Sequence, residues 1–117
     1  MKKILFAIII LIGLNVQAQT KEEKWSIYIS AFQNALHSKD KAKLAALVAP
    51  TMSVGISNKE WASEILSDRS TIIKIEKALM SKTIKGPDHD KMKCYDAMCL
   101  YFDFRENKWL LVDLFED

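Results

Sequence analysis

Cys94 and Cys99 are the only cysteines of this 117-residue chain, and they stand five positions apart in KCYDAMCLYFDF, Lys93 to Phe104. A two-residue turn at Asp96 and Ala97 sets Tyr95 opposite Met98 and Cys94 opposite Cys99. That is a non-hydrogen-bonded antiparallel site, where Cα atoms lie about 4.5 Å apart, within the roughly 4.4–6.8 Å that a disulfide accepts. Zinc needs four ligands, and neither a further cysteine nor an adjacent histidine is at hand. Thioredoxin-like chemistry uses two intervening residues at a helix start, whereas four intervene here between strands. The pair reads as a structural disulfide, with buried free thiols as the alternative.

Asp88, His89 and Asp90 offer a metal-binding knot or a histidine held protonated between two carboxylates. Beside Gly86 and Pro87 the triplet reads more simply as a solvated turn. His37, near the end of a helix, is favoured there by the helix dipole when charged and reads as a surface residue. No metal or cofactor site follows from these groups.

The elements that would position these residues begin after a leader. MKKILFAIIILIGLNVQAQ carries two lysines, an apolar run from Ile4 to Leu14, and Val16 and Ala18 at the minus-three and minus-one positions of a cut. That order is the signature of a secretory signal peptide, and the apolar run is shorter than the roughly 18 residues that span a bilayer. The sequence therefore predicts a signal peptide over 1–18 and a single α+β domain over 19–117, secreted or periplasmic, with no stable membrane anchor after cleavage. Loss of Lys2 and Lys3 leaves 17 − 2 = 15 basic against 15 acidic residues. Such a balanced chain lacks the basic stripe of a nucleic-acid binder.

Thr20 to Glu23 forms a capping box, and Trp25, Tyr28, Ile29, Phe32, Ala35 and Leu36 follow at helical spacing, predicting a helix over Lys21 to His37. A polar joint around Asp40 restarts the chain into a short helix that Pro50 ends. Met52, Val54 and Ile56 alternate with small polar residues as in a strand. Ser57 to Glu60 caps a helix through Trp61, Ile65 and Leu66, and Ser70 to Lys82 suits another until Gly86 and Pro87 break it. About Met92–Tyr95, Met98–Arg105 and Trp109–Phe115 then read as an antiparallel meander. At its second turn a three-residue loop, Glu106 to Lys108, is favoured. It pairs Leu100, Phe102 and Phe104 with Leu114, Val112 and Leu110 on one apolar face, where a two-residue loop mixes polar and apolar partners.

The stretch AFQNALHSKDKAKLAALVAP, with Phe32, Ala35, Asp40, Leu44, Leu47 and Val48, and the ending YFDFRENKWLLVDLF resemble the opening and closing segments of the nuclear-transport-factor-2-like (cystatin-like α+β) superfamily. The resemblance implies N-terminal helices packed on a bent antiparallel sheet, together forming a cone, with a C-terminal β-meander. It covers both ends of the mature chain and leaves the middle unmatched, and the chain is short for that fold. Members include isomerases, dehydratases, cyclases and transport adaptors, so the likeness names no single activity. Their active sites use an aspartate base with a tyrosine or second acid inside the cone. No catalytic motif carries over residue by residue, and Asp40 matches only the joint, where it caps a helix.

Within such a cone Asp113, Asp103 and Tyr101 are the candidates for catalysis, a carboxylate base beside a tyrosine proton donor. Tyr28, Tyr95 and Trp109 are the candidates for touching a ligand. The leading expectation is a binding or interaction domain that holds a small apolar ligand in the cone or forms a homodimer through the outer sheet face. An isomerase- or hydratase-like enzyme and an inhibitor or immunity-type protein are the alternatives.

Overall fold

The computed structural model of the chain describes residues 19–53 and 55–116. The signal-peptide reading of residues 1–18 lies outside them. Among the described residues four helices come first: α1 (Lys21–Ser38), α2 (Lys41–Ala46), α3 (Asn58–Leu66) and α4 (Arg69–Leu79). Four strands follow, β1 (Ile84–Gly86), β2 (His89–Tyr95), β3 (Met98–Arg105) and β4 (Lys108–Glu116), forming one open antiparallel sheet in sequence order. The fold is α+β with a C-terminal meander, as the sequence predicts.

Helix starts are written in oxygen-bearing side chains that take otherwise unpaired amides. Thr20 Oγ1 accepts the Glu23 N–H at 3.1 Å, Asp40 that of Lys43 at 3.1 Å, and Ser57 that of Glu60 at 3.2 Å. Asp68 accepts from Ser70 at 3.0 Å. This cap, with Ile72, Ile75 and Leu79 buried at helical spacing, makes a helix of α4 despite its β-branched residues.

Between helices and sheet the core is filled by aromatic rings. Trp25 meets Phe102 at 5.0 Å and Trp109 at 4.8 Å, while Phe32 lies 6.4 Å from both Phe102 and Trp61. Phe32 and Phe102 are fully buried, as are Leu36, Leu44 and Leu100. Because Lys91 pairs with Phe102 and Lys93 with Leu100, both lysines project from the same sheet face as these core residues. Lys91 Nζ stands 5.3 and 5.5 Å from the Trp25 and Trp109 rings and 2.9 Å from Glu22 Oε2. Lys93 Nζ donates to the Ser81 carbonyl just past α4. Burial pushes the Lys93 pKa down, and Lys91 adds to the effect.

Four sequence expectations change. The second helix ends at Ala46 rather than at Pro50, because Leu111 N–H donates to Leu47 O at 3.0 Å and Ala49 N–H to Leu111 O at 2.8 Å. The segment from Leu47 to Ser53 is thereby drawn along the β4 edge. The strand expected from Met52 to Ile56 is instead a tight loop closed by a Thr51–Ser57 bridge, with Gly55 at φ 91° and Val54 outside the described residues. Gly86 and Pro87 do not simply break the chain. With Asp88 at φ 62°, Pro87 and Asp88 turn β1 into β2, and β2 starts at His89 rather than Met92.

The fourth change is the register of the last hairpin. The turn has two residues, Glu106 and Asn107 at φ 50° and 65°, so Phe104 faces Trp109 and Phe102 faces Leu111. A bulge then inserts Val112, and beyond it Leu100 faces Leu114, the pairing that the three-residue loop also gives. The twist of a turn with two left-handed residues suits a hairpin, and the bulge supplies the one-residue shift that burial of Leu114 requires. The Val112 carbonyl accepts the Ser53 N–H and hydroxyl, each at 3.2 Å.

Candidate functional site

Tyr101, Asp103 and Asp113 alternate with the buried Leu100 and Phe102 row and its partners, which places them on the outer sheet face, away from the helices. Tyr101 and Asp113 are cross-strand partners. Asp103 is the most heavily bonded of the three: Oδ1 accepts the Asp90 N–H at 2.9 Å, and Oδ2 lies 3.1 Å from His89 Nδ1 and 3.2 Å from Arg105 Nη2. Burial pushes its pKa up, but the Asp90 amide, His89 and Arg105 outweigh that and hold the carboxyl below its usual range. A carboxylate held charged by donors is a weak base. His89, read from sequence as part of a solvated turn, is instead a half-buried strand residue whose ring lies 5.2 Å from Tyr101.

The ligand-contact candidates are spread over three environments. Tyr28 is buried with its hydroxyl donating to Leu47 O at 2.7 Å, and burial pushes its pKa well up. Trp109 is buried with Nε1 donating to Lys21 O at 3.0 Å. Tyr95 stands exposed at the end of β2 with Lys77 Nζ 5.2 Å from its ring. Both interior residues pack in the core while also lining one surface depression beside α1, and they do not converge with Tyr95 or with the carboxylates. Cys94 and Cys99 face each other across the first tight turn and form a disulfide, with Cα atoms 4.1 Å apart. Among the described residues no three His, Cys, Asp or Glu side chains are grouped to hold a metal ion, and no helix is long and apolar enough to cross a membrane.

Apart from a depression of about 250 Å³ between His37 and Met80, the concave surface of the described residues gathers around Ala46 at the end of α2. One depression of about 430 Å³ runs between α1 and α2, and one of about 300 Å³ continues from it to the β3–β4 turn. They share Ala31, Ala46 and Leu47, so they form one groove along the side of α1. Two further depressions, of about 400 and 550 Å³, open from the same Ala46 toward Pro50 and toward Lys59. The groove exists because α2 is short. Once the chain leaves the helix at Ala46 to join β4, none of the described residues covers Ala31 on the flank of α1. Sequence reasoning named two of its lining residues, Tyr28 and Trp109, but set them inside a cone; the groove itself was missed, since its walls come from elements far apart in the chain.

No protein-family model matches this chain, and no curated protein or solved structure matches it either.

Proposed function

We propose that this chain is a small exported binding domain, secreted or periplasmic, whose working surface is the groove around Ala46. The observation that carries the reading is where the open space lies. The region between α1 and the sheet is packed with Trp25, Phe32, Trp61 and Phe102, while the concave surface with apolar walls opens outside, between α1, α2 and the last hairpin. An apolar ligand or partner segment fits that groove without displacing core aromatics. The Cys94–Cys99 disulfide supports export, because such bonds persist in oxidising compartments. The likeness to the nuclear-transport-factor-2-like superfamily is kept as part of this proposal: its helix pair and closing hairpin are the two walls of the groove.

Chemical-shift mapping with a set of apolar and amphipathic fragments tests the site. Amides of Ala31, Ala46 and Leu47 are expected to move, and perturbations confined to the outer sheet face would overturn the reading. Export is tested by expressing the chain with its own leader and weighing the product, which is expected to begin at Gln19.

A second reading concerns that outer face, where Ile84 and Phe115 are 44% and 55% exposed beside Met92 and Tyr101. Pairing of two copies through this face would cover them, and sedimentation over a hundredfold concentration range tests it. On the enzymatic alternative Asp103 would orient His89, since its oxygens are already engaged, and Asp113 beside Tyr101 would remain as base.

A further inference from the structure

We infer that the groove takes an acidic amphipathic helix of a partner protein. The inference rests on the groove being the working surface and adds the chemistry of its occupant. Along α1 the groove extends from Lys24 to Ser38, about 21 Å at 1.5 Å per residue, the length of a helix of roughly 14 residues. Its floor is small and apolar: Ala31 and Ala46 let a second helix axis approach to the usual 8–10 Å, and Leu47 and the side of Tyr28 offer contact area.

Charge decides the sign of the partner. The four depressions that meet at Ala46 are lined by Lys24, Lys41, Lys43, Lys59, Arg105 and Lys108 against a single carboxylate, Glu106. Arg105 is engaged with Asp103, and Lys43 approaches Asp40 at 4.0 Å. Among the described residues Lys24, Lys41, Lys59 and Lys108 have no carboxylate within salt-bridge distance. The chain beyond residue 18 carries equal numbers of basic and acidic residues, so this concentration of cations is local rather than a reflection of net charge. Complementary charge of this kind sets partner choice and association rate. An anionic membrane would satisfy the charge but not the shape. Bilayer contact uses protruding apolar side chains, and here the apolar floor is recessed and Ile27 alone stands out from it.

The test uses the exported, oxidised protein and two 14-residue helical peptides. Both carry leucine along one face; the other face is glutamate in one and lysine in the other. The glutamate peptide is expected to bind at least tenfold more tightly at low salt, to shift Ala31, Ala46 and Leu47, and to weaken about tenfold in 0.5 M salt. Lys24→Glu with Lys108→Glu should abolish the preference, and Ala46→Trp should block both peptides; near-ultraviolet circular dichroism establishes that each variant is folded. Equal affinity for the two peptides, or shifts around Tyr101 and Phe115, would overturn the inference, as would sedimentation with phosphatidylglycerol vesicles without peptide discrimination. If uncharged fragments fill the groove and the peptides are not distinguished, the partner assignment fails while the groove stands. If neither probe reaches it, both fail.

Discussion

His89 Nδ1 lies 3.1 Å from Asp103 Oδ2, joining the first residue of β2 to a residue near the far end of β3. The same carboxylate takes the Asp90 amide and the Arg105 guanidinium, and it is held below the usual carboxyl range. A depressed folded-state pKa means that the unfolded chain binds more protons below about pH 4. The stabilisation is therefore present above the unfolded value and is lost as pH falls through the folded one.

Asp103→Asn should cost about 1 kcal/mol at neutral pH, a modest figure because the cluster is partly solvated. The gap between variant and wild type should narrow as pH falls from 5 toward 2. Urea unfolding midpoints at several pH values read this directly, and parallel curves would show that the carboxylate contributes nothing linked to protons.

The last hairpin places Glu106 and Asn107 in the left-handed region, which costs a non-glycine residue about 1–2 kcal/mol. Replacing the pair by Asn-Gly should raise stability by about 1 kcal/mol, since these residues suit the two central positions of such a turn. Lys108→Gly should lower it, because Lys108 pairs with Arg105 inside the ladder. Were the loop three residues long, with Lys108 as its left-handed member, the glycine substitution would stabilise instead. Thermal unfolding of the two variants separates the registers.

Cys94→Ser with Cys99→Ser should lower stability by about 1–3 kcal/mol, the chain-entropy value for closing so short a loop. Wild-type protein treated with reductant should approach the variant, whereas the variant should ignore reductant. Thiol alkylation of the folded, unreduced protein, read by intact mass, is expected to add nothing.

How far the sequence carried the fold follows from what each element demands. Thr20, Asp40 and Ser57 announced their helices because an unpaired amide calls for a side-chain oxygen close by, and such needs are local. The disulfide was legible because two residues between Tyr95 and Met98 leave a single antiparallel pairing. β1 was missed because Gly86, Pro87 and Asp88 stop a helix and turn a hairpin with the same residues. The Val112 bulge leaves no mark in composition; it appears only when burial of both Phe102 and Leu114 is demanded across a two-residue turn. His89 was misplaced with that missed strand, and the groove at Ala46 arises from a helix shortened by its bonds to Leu111, a partner more than sixty positions away.

The sheet has one rim covered at Leu111 and Val112 by the stretch from Leu47 to Ser53 and another bordered by three residues, Ile84, Lys85 and Gly86, next to Pro87. Each rim is thereby partly covered against pairing with a neighbouring copy, and a lysine sits in the middle of the short β1 edge. A rim shortened and charged in this way works against strand-to-strand fibre growth while the chain folds and before its cysteines join.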